Sequence, residues 1–442
     1  MTVIRQYLAG LAAAFGAFCL GASIGWSGPM ELPIKSGEAY KFAVSESSWG
    51  WISSMLTFGA ACMCIPVGIL IARYGRRFIM LVLCIPYLIG WGFILGAQHS
   101  SMLYVGRLIV GASGGAFCVT APVYTTEVAQ LSVRGVMGCF FQLMIVHGIL
   151  YGFVVGAYTS PLVVNILCTI LPLLLMLFIL WIPESPVFLA QLGQPEKSQK
   201  ALKWLRGENA DISAEMNIMI AESKKDEASF KEAFSRKVTL KGLVIAIGLM
   251  LLQQLTGINA ILFYATSIFM EAGTNLDANV CTIIIGVVQV VATVIAILLI
   301  EKAGRKLLLL ISAIVMGATT LVMALYFLWL TNEDLGWLPT LAISLFIVGF
   351  SLGFGPVPWL IMAELFSEDV KPVCGAFVGT SSWLFAFAVT KLFPVILRAI
   401  GPAYTFFIFT IFAILACVFI VFLVPETKNK PLEEIQSMLA GK

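Results

Sequence analysis

Twelve stretches of mostly apolar residues alternate with short polar breaks, at about 7–27, 48–72, 77–97, 101–126, 137–157, 161–181, 241–270, 280–301, 306–330, 337–362, 374–399 and 403–423. A helix crosses the hydrocarbon core with roughly 20 apolar residues, so each stretch is long enough. The first is read as a span and not a leader, because no small-residue cleavage site leads into a soluble domain. The pattern lapses once, over 183–240. With Lys241, that segment holds ten Lys/Arg and nine Asp/Glu. Within it, PEKSQKALKWLRG sets Ala201, Leu202, Trp204 and Leu205 on one helical face. The pattern predicts an all-α integral membrane protein: a six-helix half over 1–182, a cytoplasmic amphipathic helical linker over 183–240, a second six-helix half over 241–424, and a cytoplasmic tail over 425–442.

Composition agrees. Of 442 residues, 60% are hydrophobic and 12% charged, where a soluble domain carries about 25% charged. The net charge of +3 says less than its placement. Arg73, Arg76 and Arg77 lie between spans 2 and 3, Arg134 between spans 4 and 5, Lys302, Arg305 and Lys306 between spans 8 and 9, and Lys371 between spans 10 and 11. The opposite loops hold little beyond Lys35, Lys41 and Arg398. The positive-inside rule then puts the Arg-rich loops and both termini in the cytoplasm. The ten cysteines fall in or beside spans, with no CxxC, and read as packing residues. No GxxxxGK[ST] or HExxH occurs, and His99 and His147 form no metal cluster. No enzyme, cofactor, metal or nucleic-acid partner is implied.

The two halves echo each other. RYGRR at 73–77 matches KAGRK at 302–306, an offset of 229. Glu127 precedes Arg134 by seven residues, as Glu364 precedes Lys371, an offset of 237. PES at 183–185 matches PET at 425–427, an offset of 242. Three pairs in order argue for duplication, and parallel six-span repeats around a midplane site build one class of transporters.

Polar groups inside the spans mark that site. QQLTGINAILFY at 253–264 puts two glutamines and an asparagine where an unpaired amide costs several kcal/mol. At ~100° per residue, Gln253, Gly257 and Tyr264 share a face, while Gln254 and Asn259 diverge from it. If all face one cavity, the helix bends or unwinds near Gly257. The alternative is that the amides bridge neighbouring helices. GFGPVPW at 353–359 interrupts span 10, since Pro356 and Pro358 each remove a backbone donor. Trp359 follows, and Trp383 sits in span 11. Amides plus indoles suit a sugar, whose hydroxyls take hydrogen bonds and whose C–H face packs on rings. Gln142 and Gln289 add two further amides. His147 reads as helix packing in preference to a proton relay. Tyr264 reads as a gate or a packing aromatic. Arg107 is a charge at the membrane edge and needs a partner. Glu127, Arg134, Glu184, Glu301, Arg305, Glu364, Lys371 and Glu426 form a cytoplasmic charge set. Pairing across the interface between halves would hold one conformer closed.

RYGRR, GRLIVGASGG, VYTTEVAQLSVRG, PESP, QQLTGINAILFY, EKAGRK, GPVPW and VPETK together resemble the sugar porters of the major facilitator superfamily, over nearly the whole chain. Within that family, GAFCVTAPVYTTE and GPVPWLIMAELFSEDVK resemble the insect facilitated trehalose transporter-like and facilitative glucose transporter branch. The resemblance implies the major facilitator fold. It implies sugar contacts from Gln142, Gln253, Gln254, Asn259 and Trp359, with Trp383 lining the cavity. Gln289 joins this set. Tyr264 becomes a lid, with Gly257, Pro356 and Pro358 as joints. An intracellular ion-pair network would comprise Arg73, Arg76, Arg77, Arg107, Glu127, Arg134, Glu184, Glu301, Arg305, Glu364, Lys371 and Glu426. Departures are Gln289 and Ser382 where the family often has Asn, Val187 after PESP, Lys371 for Arg, and Ala72 in the first loop.

Proton-coupled members carry an Asp in span 1. The matching place is Ser23, and no acid lies in 7–27. The expectation is a plasma-membrane uniporter, functional as a monomer in the bilayer, moving a hexose or trehalose by alternating access. A proton symporter is the first alternative. A non-transporting sensor is the second, for which the 18 residues after the last span make a short signalling tail.

Overall fold

A computed structural model describes residues 2–222, 230–331, 334–367, 369–428 and 430–440, and among these it contains helices and no strand. The side chain of Glu301, expected in the charge set, lies outside the described residues. Spans 2, 3 and 4 are Glu46–Tyr74, Arg76–Leu95 and Ser100–Val128, and spans 5 and 6 are Phe140–Tyr158 and Pro161–Trp181. Spans 8 and 9 are Ala278–Ala303 and Arg305–Leu325.

Span 1 runs Thr2–Gly25 and continues through Trp26, whose backbone is helical, into Ser27–Ser36. It is therefore longer than the apolar window suggests and takes in Glu31. The remaining spans depart from a single straight helix. Span 7 is three pieces, Lys237–Leu255, Ile258–Phe263 and Ala265–Glu271. Span 10 is two, Leu338–Leu352 and Val357–Leu365. The helix Lys371–Leu423 is two spans meeting at Gly401, whose φ of 81° and ψ of 168° are outside the helical region. The left-handed half of the map is open to glycine without a Cβ clash, so the chain turns there in one residue. Counting that helix as spans 11 and 12 makes twelve.

Close helix contact rests on small residues, as expected where lipid offers no hydrophobic drive between helices. A Cβ on Gly21 or Gly148 would collide with the facing backbone of span 5 or span 1, and one on Gly59 or Gly111 with span 4 or span 2. Between halves, span 2 packs on span 11 and span 5 on span 8. Alternation of the spans puts both termini and the loops after spans 2, 4, 6, 8 and 10 at one face, the terminal face. The other is the distal face.

The segment between spans 6 and 7 forms Pro186–Gln191, Pro195–Arg206, Ser213–Glu222 and Phe230–Ser235. Pro195–Arg206 buries Ala201, Leu202 and Leu205, as its apolar spacing predicts, and leaves Trp204 half-buried. Arg206 fastens it by donating to the Val128 carbonyl at 2.8 Å, at the end of span 4, and to Glu215.

Candidate functional site: two broken helices facing each other

Span 7 breaks where the sequence places Gly257, which adopts φ 96° in the left-handed region. A Cβ there would lie 2.7 Å from the Phe409 ring, so glycine is required twice over. Span 10 breaks at Gly353–Pro356. Pro356 and Pro358 do not kink a running helix. They start its second piece, where an absent N–H costs least.

Between the breaks lies a chain of amides. Gln253 Nε2 donates to the Phe354 carbonyl and, at 3.4 Å, to that of Gly355. Gln254 Nε2 donates to Gln253 Oε1 at 3.1 Å, and Asn259 Nδ2 to Gln254 Oε1 at 2.5 Å. Gln253 and Gln254 are buried, whereas Asn259 is half-buried. Trp359 stands one turn beyond the span 10 break, with its Cζ3 3.9 Å from where a Gly379 Cβ would sit on span 11. Trp383 is one turn further along span 11. Its indole Nε1 is buried with no hydrogen-bond partner among the described residues, as are Gln289 Oε1, Thr293 Oγ1 and Thr380 Oγ1. Gly286 packs on Leu150 and Phe153, which places Gln289 and Gln142 on facing spans. Unsatisfied buried polar atoms are rare in folded proteins, so those on spans 8 and 11 are candidate partners for a polar, partly apolar ligand; Trp49 Nε1, Ser113 Oγ, Thr120 Oγ1 and Thr390 Oγ1 are likewise unpartnered among the described residues. A 530 Å³ concavity lined by Ile400, Tyr404, Phe407, Ile408 and Ile411 is on the apolar outer surface and offers such a ligand little besides the Tyr404 hydroxyl.

The chain matches the family described as "Sugar (and other) transporter" over residues 9–439. It belongs to that family. The facilitated trehalose transporter Tret1 of Culex quinquefasciatus is 36% identical over 445 residues, covering 99% of this chain and 86% of that protein. Tret1 of Aedes aegypti is also 36% identical, over 99% of this chain, but the chain spans only 55% of its length. Among solved structures, the major facilitator superfamily proton:xylose symporter XylE bound to 6-bromo-6-deoxy-D-glucose matches with a TM-score of 0.78, 23% identity and coverage of 99% of this chain and 100% of that one. That likeness shows the fold.

In the transporter, the distal side of the site is shut. Tyr264 is buried and donates to the Thr390 carbonyl at 3.1 Å and to Ser53 Oγ at 3.4 Å, joining span 7 to spans 11 and 2. Its ring packs 5.2 Å from Phe393. Beyond it, Ser267 Oγ donates to Glu31 Oε2 at 2.6 Å, linking span 7 to span 1. Glu31 is 3% exposed and pairs with Lys35 at 3.2 Å. Glu46 and Arg398 pair at 3.0 Å, and Lys391 lies 4.1 Å over the Trp51 ring. The apolar stretch of span 1 in the sequence, 7–27, ends short of Glu31. Its spacing of four from Lys35 was the available signal.

The charge set at the terminal face is organised differently from the cross-half pairing expected of it. Arg76 grips Glu127 at 2.7 Å, and Arg305 grips Glu364 at 2.8 Å, each within its own half. Glu184 accepts from the backbone N–H of Arg76 and Arg77 at 3.0 Å, and Glu426 from those of Arg305 at 3.0 Å and Lys306 at 3.1 Å. Burial alone would raise the Glu426 carboxyl. The N–H groups of Lys428, Arg305, Lys306 and Thr427 outweigh it and hold the group below its ordinary range. Arg77 and Lys306 also correspond: they donate to the Leu180 and Val421 carbonyls, both at 2.8 Å, at the ends of spans 6 and 12. Arg73 stacks on Tyr74, with 5.4 Å from guanidinium to ring centroid, and Arg134 is exposed. Lys371 begins span 11.

Arg107 does not belong to this network. Glu127 is 20 residues further along the same helix, about 30 Å at 1.5 Å per residue. Arg107 is fully buried near the distal end. It donates to the Ser23 carbonyl at 2.6 Å, Ser27 Oγ at 2.7 Å and the Ile52 carbonyl at 3.3 Å, and lies 4.9 Å over the Trp26 ring. Neutral oxygens and an indole face thus solvate the charge beside span 1. His147 Nδ1 donates to the Leu143 carbonyl of its own helix at 2.7 Å, which is a packing role.

Proposed function

We propose that this chain is a facilitative sugar transporter, a uniporter moving a hexose or trehalose down its gradient by alternating access. The observation that carries the reading is the pair of broken helices joined by the amides of Gln253, Gln254 and Asn259, with unpartnered buried polar atoms on Gln289 and Thr293 of span 8 and on Thr380 and Trp383 of span 11. Sugar hydroxyls would pair with Gln142, Gln254, Asn259 and Gln289. The sugar's apolar face would rest on Trp359 and Trp383. Tyr264 would be the distal lid, hinged at Gly257, with the break before Pro356 and Pro358 as the matching joint in span 10. The trehalose substrate named for the Culex and Aedes relatives supports a disaccharide among the candidates. The family alone supports a hexose equally.

Residues 1–182 and 241–424 would rock as two bodies, with 183–240 between them. The basic loops place the terminal face in the cytoplasm, and the plasma membrane is the setting that fits. A single chain holds the full set of proposed contacts, so the monomer is the functional unit.

The absence of coupling is supported by Arg107, which is matched by serines and carbonyls where a coupled carrier would need a titrating carboxylate. Glu31 favours a second reading. It is a buried acid inside span 1 and across the interface from Ser267, so proton symport would run through it. Uptake of labelled trehalose and of D-glucose into proteoliposomes decides, measured with and without an inward proton gradient. Uptake that stops at equal concentrations and ignores the gradient is expected. Accumulation above the outside concentration would overturn uniport and assign coupling to Glu31.

A further inference from the structure

The short pieces of span 7 begin or end at Gly257, Tyr264 and Ala272. All three points rest on one line of rings from spans 9, 11 and 12. The Phe409 ring of span 12 lies against Gly257, as the 2.7 Å approach to a Cβ there shows. The same ring stacks on Phe393 of span 11, with centroids 6.1 Å apart and planes 13° from parallel. Phe393 backs the Tyr264 ring, one turn from the Thr390 carbonyl that takes the Tyr264 hydroxyl. In the other direction Phe409 meets Phe406 edge to face at 5.9 Å, Phe406 stacks on Phe327 at 5.8 Å, and Phe327 meets Tyr326 at 5.7 Å. The Tyr326 hydroxyl donates to the Ala272 carbonyl at 2.7 Å, which returns the line to span 7. These rings stand on firm ground. Phe406 and Phe409, three residues apart, share a face of span 12, and Thr410 beside them is hydrogen-bonded to Thr320 of span 9 at 3.0 Å. Tyr326 and Phe327 open the π-helical turn Tyr326–Leu330, a type of turn that is rare and recurs at functional sites.

We propose that Phe409 is a positioning residue: its ring is the bearing of the Gly257 hinge and, through Phe393, the backing of the Tyr264 lid, so that span 12 sets how often the distal side opens. The proposal rests on the reading of Tyr264 as the lid of a sugar transporter. None of the proposed sugar contacts lies on span 12. The piece Ile258–Phe263 is free of a continuous helix at both ends, so it tilts about Gly257. Tilting lifts Tyr264 off Phe393 and the Thr390 carbonyl while Gly257 keeps its seat on Phe409. This is a bend of span 7 inside its own half, distinct from the rocking of the halves. Paired rings hold a preferred separation and offset, and lose contact on sliding. Phe393, Phe406 and Phe409 are buried, so a missing ring leaves a space into which its neighbour shifts. Without the Phe409 ring, Phe393 loses its backing and the hinge loses its seat, and both changes favour the open lid.

Phe409→Leu tests this in proteoliposomes of the full chain. A Ser53→Cys reporter, at the residue that meets the Tyr264 hydroxyl at 3.4 Å, is labelled with an impermeant maleimide against a parent without the reporter. Labelling should speed up by at least about threefold, the scale of one ring pair. Phe409→Met keeps most of the volume and loses the ring, and gives the same reading should the leucine variant not fold. Phe393→Leu should also speed labelling, and the double variant should fall short of the product of the two singles, because both act through one stack. Phe117→Leu, on a fully buried ring of span 4 seated on Gly16, is the packing control. It should lower the melting temperature as Phe409→Leu does, with labelling within about twofold of the reporter parent. Labelling of the Phe409 variants within about twofold of the reporter parent overturns the proposal alone, as does a rise matched by Phe117→Leu or singles whose effects multiply in full. Failure of the unsubstituted protein to take up either trehalose or D-glucose overturns the functional reading and the proposal with it.

Discussion

The two faces of the bundle use charge in opposite ways. At the terminal face two part-buried ion pairs close within one half: Arg76 on Glu127 and Arg305 on Glu364. At the distal face three polar contacts cross between halves: Ser267 on Glu31, Arg398 on Glu46, Tyr264 on Ser53. Contacts within a half survive a rocking motion, whereas contacts between halves are made in one conformer and lost in the other. Only the second kind carries differential energy between conformers. Under the proposed alternating access, the distal set would bias the equilibrium, and the terminal set would stiffen the bodies that move.

Substitutions separate these roles. The largest effect is expected from Glu127→Ala, which strands Arg76, itself only 9% exposed at its side chain. Orphaning a buried partner costs about 3–5 kcal/mol. The purified protein should aggregate at a markedly lower temperature in detergent, with no gain in distal opening. Glu31→Ala should do the converse. It removes a charge-assisted bond worth about 1.5–3 kcal/mol, so the distal-open population should rise by roughly 10-fold or more while melting changes little. Labelling of a Ser53→Cys reporter by an impermeant maleimide, against a parent without the reporter, reads that population. Unchanged labelling would remove Glu31 from the latch.

Acid should act on the terminal face through Glu426. Its carboxyl is held below the ordinary value of 4.5 in the folded chain. The stability it adds is present above that value and is lost as pH falls through the depressed one. Hydrogen exchange at Arg305 and Lys306 should accelerate only at that acid limit, and Glu426→Gln should abolish the pH step. The smallest effect belongs to Arg398→Ala, whose side chains are 61% and 41% exposed across the pair. Such pairs contribute about 0–1 kcal/mol, so labelling should change less than about fivefold.

The fold was largely legible. Spans 11 and 12, which meet at the non-helical Gly401, separate in the sequence because apolar windows end at Arg398 and resume after Pro402. The breaks at Gly257 and Gly353 were also legible, since a glycine among amides and a GFGPVPW run leave few other conformations. What eluded the sequence is pairing. It shows that Arg107 needs a partner but not that serines and carbonyls will serve. It aligns Arg76 with Arg305 without saying that each finds its acid within its own half. Glu31 was lost because hydropathy ends a span at the first charge, whereas a charge paired at i+4 and across an interface stays inside.

Gly75 and Gly304 occupy the same unusual backbone, φ 100°, ψ 158° and φ 90°, ψ 157°, and a Cβ on either would press on the carboxylate beside it, at 2.6 Å from Glu184 and 2.9 Å from Glu426. Those carboxylates read main-chain N–H groups, which every amino acid but proline possesses. The junction is therefore blind to most of its own spelling. Either loop could carry Tyr74 or Ala303, and Arg77 or Lys306, without disturbing the joint, provided the glycine and the acid stayed. The two loops are in that sense an inheritance record: what they still share is the minimum the joint requires, and what they do not share measures how far the halves have been able to drift toward separate tasks.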